Sequence, residues 1–184
     1  MHIEKNICDN ILGTLLNIDG KTKDTLKARQ YLKDMNIRKE LHLIQRSDGS
    51  YIIPPACYTL TKNEKQILCE FFKSVKFPDG YASNISRCVN VNEGKVMDLK
   101  SHDCHIILQR ILPVGIRGCL RRDVCIALAE LVDFFQSLCS KTLNVEEVQK
   151  LKKEIVLILC KLEMIFPPAF FDVMVHLAIH LPMR

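Results

Sequence analysis

Apolar residues recur along this chain at steps of three and four, and period-2 alternation never survives beyond a few residues. Ile3, Ile7, Ile11, Leu12, Leu15 and Leu16 fall on one side of a helix predicted over His2 to Leu16, and Asn17 to Gly20 ends it. A second, more polar helix is predicted from Lys23 to Met35. The pattern then changes. RSDGSYIIPPACY, Arg46 to Tyr58, carries a turn signal at Asp48-Gly49 and two prolines, so it predicts a loop or short extended segment and the seam of the chain. Thr61 with Glu64 three residues on has the reciprocal capping pattern of a helix start. That helix turns Ile67, Leu68, Phe71 and Phe72 inward and stops before Phe77-Pro78-Asp79-Gly80. A short helical turn around Ser83 to Val89 leads to a polar loop, Asn90 to Gly94.

From Leu99 onwards the apolar content rises. Val124, Leu128, Leu131, Val132, Phe135 and Leu138 put one buried face on a helix. Asn144 with Glu147 is a second capping signal, opening a helix with Val145, Val148, Leu151, Ile155, Leu159 and Leu162 on one stripe. Ile155 to Cys160 is apolar on every side, which predicts a central helix rather than a surface one. Pro167 and Pro168 suit the first turn of a last helix, where a missing amide donor costs nothing. The fold class is mainly α: an irregular helical bundle over Leu99 to Arg184, preceded by a loop-rich N-terminal segment with smaller helices. No internal repeat or low-complexity tract interrupts it.

Composition narrows the class. The chain has 184 residues, 48% hydrophobic and 26% charged, as expected of one domain with a real core. Its longest apolar run, Ile155 to Cys160, is far too short to span a bilayer, and no membrane partner is predicted. MHIEKNICDN lacks the basic stretch and apolar core of a signal peptide, so a soluble intracellular chain is the default. Nine cysteines, scattered and without a CxxC pair, argue for small apolar residues in a reducing compartment rather than a disulfide framework or zinc ribbon. Charge is informative by placement. Lys21, Lys23, Lys27, Arg29, Lys33, Arg38, Lys39 and Arg46 face only Asp24, Asp34 and Glu40 in their stretch, which carries the whole formal excess of +5. Such a stretch can lean on nucleic-acid phosphates, with Lys21, Lys23, Lys27, Arg29 and Lys33 as the DNA-binding candidates; a solvated helix face is the competing reading.

Three constellations could carry chemistry. His102, Asp103, Cys104 and His105 open an apolar helix, with both histidines projecting from roughly one side. They supply half a zinc site, and the other ligands would have to come from afar; the bland reading is a helix N-terminus capped by Ser101 or Asp103. Asp172, His176 and His180 are spaced to share one helical stripe, but Leu177 stands where a zinc protease needs its glutamate. Arg117, Arg121 and Arg122 flank Gly118-Cys119 as a small basic spot, open to a phosphate or simply to solvent. No nucleophile elbow or phosphate-cradling glycine loop is present. The residues therefore predict no catalytic residue, no metal ligand and no cofactor.

LKSHDCHIILQRILPVGIRG, Leu99 to Gly118, with KFPDGYASNISRCVN before it and LEMIFPPAFFDVMVHLAIHL after it, resembles the transposase-associated domain of plant CACTA (En/Spm-like) DNA transposons. MHIEKNICDNILGTLLNIDGKTKDTLKAR resembles the end of the transposase proper, so the likeness covers nearly the whole chain. It implies three segments. Residues 1–45 would be the helical tail of the transposase-like region, 46–98 a loop-rich connector with short helices, and 99–184 the associated helical domain, truncated at its C-terminus. The resemblance further implies a nuclear location (the sequence alone allows a cytoplasmic one) and a parent enzyme of the acidic-triad, RNase H-like type that cuts DNA with divalent metal, its nuclease core lying upstream. The Cys-or-Asp, two residues, His signature of many cut-and-paste transposases is not matched: Leu99, His102, Val173 and Leu177 occupy its first position. No catalytic residue carries over. The expectation is an accessory fragment without catalysis of its own, with DNA and other transposase chains as its partners. Its rival has Glu163 or Asp172 supply one metal-binding carboxylate to a composite DNA-cleaving site.

Overall fold

The structure is a computed structural model that describes residues 2–78 and 84–183. The expectations that fall on Asp79, Gly80 and Ser83 lie outside those residues. Helix α1 spans His2–Leu15 and ends where Asn17 and Gly20 take left-handed backbone angles. Helix α2, Leu26–Asp34, starts later than the predicted Lys23 because Thr25 caps it, accepting from the Ala28 amide at 3.2 Å. The Asp48-Gly49 turn folds the seam into a hairpin, pairing β1 (Ile44–Gln45) with β2 (Tyr51–Ile52). Helix α3, Lys62–Ser74, has the full reciprocal cap: Thr61 Oγ1 accepts from the Glu64 amide and Glu64 Oε2 from the Thr61 amide. Leu68 and Phe72 turn inward as expected, Phe71 is half-buried, and Cys69 joins the buried side, whereas Ile67 faces solvent. The loop after it is a second hairpin, β3 (Val89–Asn90) with β4 (Lys95–Val96), preceded by a 3-10 turn over Ile85–Cys88.

Ser101 to Gly115 run as one helical rod of changing pitch: α4 (Ser101–Ile106), a π-helical turn (Ile107–Ile111) and α5 (Leu112–Gly115). Pro113 explains the widening. It has no amide hydrogen to give the Gln109 carbonyl four residues back, and its ring crowds that oxygen. A wider turn keeps the chain helical around the obstruction. The orphaned Gln109 carbonyl is then satisfied from elsewhere, by Gln136 Nε2 at 2.7 Å. That donor sits on α6 (Arg122–Leu138), which packs along α7 (Val145–Ile165). Asn144 and Glu147 cap α7 as the sequence predicts.

Helix α7 does not occupy the centre of the bundle. Leu151, Ile155, Ile158, Leu159 and Leu162 are buried, but Val156, Leu157 and Cys160 are exposed, Leu157 by 62%. The main cover comes from α6 and the C-terminal segment, which bury one stripe and leave the outer apolar side in solvent. The last helix is likewise not continuous. Pro168–Phe170 form a 3-10 turn, Asp172 caps a single α-turn (α8, Val173–His176), and Leu177–Met183 continue as 3-10.

One cluster of buried side chains extends from Ile7 to Ala178 and draws on all three expected segments. The N-terminal helix lies inside it, with α1 packed against both α4 and α8. Phe166 stacks between Tyr58 and Phe170, with ring centroids 5.0 and 4.3 Å away, so the middle of the chain seals the C-terminal turn. The loop after α1 also closes tightly on its helix: a Cβ at Gly13 would stand 2.8 Å from the Lys21 carbonyl oxygen. We expect Gly13→Ala to lower stability in urea by about 1–3 kcal/mol despite the helix propensity of alanine, because the obstacle is backbone. Gly118→Ala, with open space around its Cβ position, serves as the near-neutral comparison.

Candidate functional site

The basic stretch divides in two once folded. Arg29 is fully buried and leaves the set of DNA-binding candidates: its guanidinium pairs with Asp24 and donates to the carbonyls of Leu41 (3.0 Å) and Pro54 (3.1 Å). Those two carbonyls flank the β1–β2 hairpin, so one side chain ties both hairpin ends to α2. Its position beside Ala28 and Leu32 on the narrow buried edge of α2 is why the cation turns inward. Arg38 is also committed. Its backbone is left-handed (φ 48°), and its guanidinium donates to the carbonyls of Phe166 (2.9 Å), Ile165 (3.1 Å) and Glu163, capping the C-terminus of α7. Lys23 is half-buried and reaches Asp172 at 3.2 Å. Lys21, Lys27 and Lys33 remain in solvent, and among the described residues no ion pair holds them. Lys27 Nζ lies 5.8 Å from the centroid of the Tyr31 ring, itself exposed.

Asp172, His176 and His180 do not form the stripe their spacing predicted. The change to 3-10 pitch after His176 rotates His180 away from it, and Asp172 is occupied as a cap. Its Oδ1 accepts from the amides of Met174 (3.1 Å) and Val175 (3.2 Å), and its Oδ2 from Asn10 Nδ2 (2.9 Å) and Lys23 Nζ. Burial pushes this carboxyl up, but the Asn10 and Lys23 hydrogen bonds, with the backbone donors, outweigh it and hold the group below its ordinary range. Glu163 is exposed on α7. Arg121 forks onto Asp123 at 3.1 and 2.7 Å, while Arg117 and Arg122 are exposed.

The His102–His105 segment gathers partners from far along the chain. The two imidazoles stand nearly parallel, 6.2 Å apart. Asp103, not Ser101, completes the helix start, accepting from the Lys100 amide at 3.0 Å. Cys104 is buried and hydrogen-bonded to Cys8 of α1; that bond and burial push the Cys8 thiol well up. His105 Nδ1 lies 3.0 Å from Glu4 Oε2, and Gln109 Nε2 lies 2.8 Å from Glu4 Oε1 and 3.8 Å from Cys139 Sγ. Glu4, His105 and Cys139 thus bring three ligand-type atoms within 4.8 Å of one another, with a buried carboxylate, a half-buried imidazole and an exposed thiol. Sequence reasoning missed Glu4, Gln109, Cys139, Asn10 and Arg38. For two of them a signal exists: Glu4 shares the helical stripe of Cys8, Ile11 and Leu15, and Gln109 stands among the apolar residues of Ile106 to Leu112. A polar residue on a buried stripe needs a partner.

Residues 138–184 match a family model described as a domain of unknown function, DUF4218. That family is typically found in plant transposase-related proteins. The match runs from the last residue of α6 through α7 and α8. No curated protein and no solved structure matches the chain. The matched segment includes Asp172, whose Asn10 and Lys23 partners lie outside it.

The depressed Asp172 carboxyl has a pH signature. A group whose pKa is lower folded than unfolded contributes stability above its unfolded pKa, and this is lost as pH falls through the folded value. Asp172→Asn removes that contribution, so its urea midpoint should be lower than wild type at neutral pH and should decline less on acidification. Parallel denaturation series of the two proteins across pH measure the difference.

Proposed function

We propose that the chain is an accessory, non-catalytic part of a CACTA-type transposase that contacts DNA through the outer side of α2 and the loop before it. The exposure of Lys21, Lys27 and Lys33, together with Tyr31 beside Lys27, is the observation that carries this reading. Structural duties absorb Arg29 and Arg38 and partly absorb Lys23, whereas these three lysines have no such duty among the described residues. Flexible lysines on a helix whose buried edge is narrow suit sequence-tolerant contact with phosphates, with a tyrosine face available to an unstacked base. The partial family match to a domain typical of transposase-related proteins supports the setting. So does the longer resemblance of the sequence to CACTA elements.

A protein-contacting role is the second reading, favoured by Val156, Leu157 and Met164 standing exposed on α7, Met164 by 79%. The partner in that case is another transposase chain. Against a catalytic role stands the condition of Asp172: its oxygens already hold four donors, which leaves it poorly suited to ligate a catalytic cation. Glu163 offers an exposed carboxylate on the far end of α7.

Fluorescence anisotropy with a labelled duplex tests the DNA reading. Affinity should fall steeply with salt, and replacing Lys21, Lys27 and Lys33 together by Gln should lower the slope of log affinity against log salt by about 2 to 3, at roughly 0.9 per phosphate contact. An unchanged slope, or no binding at low salt, overturns it. Nuclease assays with manganese should give no nicking by the chain; cleavage abolished by Asp172→Ala would establish the catalytic rival instead.

A further inference from the structure

We propose that Glu4, His105, Gln109 and Cys139 form a binding site for one divalent cation of the zinc type. Two contacts conflict at the His105 ring. His105 Nδ1 faces both a carboxylate oxygen, at 3.0 Å, and the amide nitrogen of Gln109, at 3.2 Å. With a proton on Nδ1, the ring satisfies Glu4 and meets the Gln109 amide donor to donor. Without that proton it accepts from Gln109 and turns a lone pair toward a carboxylate. Neither tautomer satisfies both contacts.

The Gln109 nitrogen is the centre of the arrangement. It stands 2.8 Å from Glu4 Oε1, 3.2 Å from His105 Nδ1 and 3.8 Å from Cys139 Sγ, so three lone-pair atoms from α1, α4 and the end of α6 converge on one weakly positive group. A cation between them removes the conflict at once. The carboxylate, the imidazole lone pair and a thiolate would all point at positive charge. Turning the Gln109 amide over would bring its oxygen, a fourth donor, toward the same point. The three ligand atoms lie within 4.8 Å of one another, and tetrahedral ligation requires separations of about 3.5 Å. The remaining contraction falls on Cys139, an exposed residue just past the end of α6.

Ligand chemistry selects the ion. One sulfur, one imidazole and one carboxylate suit zinc, whereas magnesium, calcium and manganese prefer all-oxygen shells. Burial distributes the roles. Glu4, with only 3% of its side chain exposed, is fixed by the fold; the Gln109 amide group, which stands between the three ligand atoms, swings aside to make room, and Cys139 at the rim admits the ion. The π-helical turn forced by Pro113 includes Gln109, whose backbone carbonyl is held by Gln136. Uptake at neutral pH releases the thiol proton to solvent, so affinity rises with pH.

Cobalt(II) added to the reduced, untagged full chain tests the site, because thiolate ligation gives a charge-transfer absorption band. One cobalt per chain should bind with that band, and zinc but not magnesium should displace it. Cys139→Ser should abolish the band, and Cys160→Ser, which alters an exposed thiol outside the site, should leave it intact. Gln109→Ala, which removes the fourth donor, should weaken zinc binding in calorimetry by at least about 10-fold, the smallest loss typical even of groups that only orient metal ligands. No stoichiometric binding, binding without a thiolate band, or a band that survives Cys139→Ser would overturn the proposal. Cys139 is exposed, so circular dichroism of Cys139→Ser should match wild type and separate loss of the site from loss of the fold.

Discussion

The turn from Ile165 to Asp172 is the point on which the rest of the structure depends, and residues of the first sixty hold it. Arg38 caps the final carbonyls of α7, Tyr58 stacks on Phe166, and Asn10 donates to both the Phe170 carbonyl and the Asp172 carboxylate. Lys23 adds a charge to the same carboxylate. A helix that ends in apolar surroundings leaves carbonyls that must find donors. Here the donor is a guanidinium from a residue held in a left-handed conformation, which is unfavourable for an arginine unless something fixes it. The three carbonyls supply the fixing.

Arg29 does the same kind of work on the other side of α2. Its five N–H groups are arranged as a rigid fork, and they meet one carboxylate and two carbonyls that belong to opposite ends of a hairpin. The hairpin is only two residues long on each strand and could not persist alone. Its anchorage is therefore a buried charge network. Such networks cost much when one member is removed, and they fix a particular arrangement of elements in return.

Much of this was legible in the sequence. The two reciprocal caps, the buried face of α6, the end of α1 and the mainly helical class follow from local rules, and local rules are what a single sequence exposes. The errors share a cause. Ile155 to Cys160 reads as central because it is apolar all round, yet centrality depends on what covers a helix, and only one side of α7 is covered. Arg29 reads as surface charge because arginine usually is, yet its neighbours Ala28 and Leu32 set the buried edge. The Glu4–His105–Gln109–Cys139 cluster joins residues 135 positions apart, and no spacing rule spans that distance. Its trace in the sequence was a polar residue on each of two apolar stripes.

The hold of the N-terminal part on the Ile165–Asp172 turn also bears on modularity. A similarity boundary near residue 138 separates α7 from its guanidinium cap and Phe166 from the ring that shields it. The matched stretch is thus not a unit that closes on itself, because its cap and its ring partner come from outside it. An expression fragment cut at that boundary would carry bare aromatic faces and an uncapped helix end, a composition suited to aggregation rather than to study.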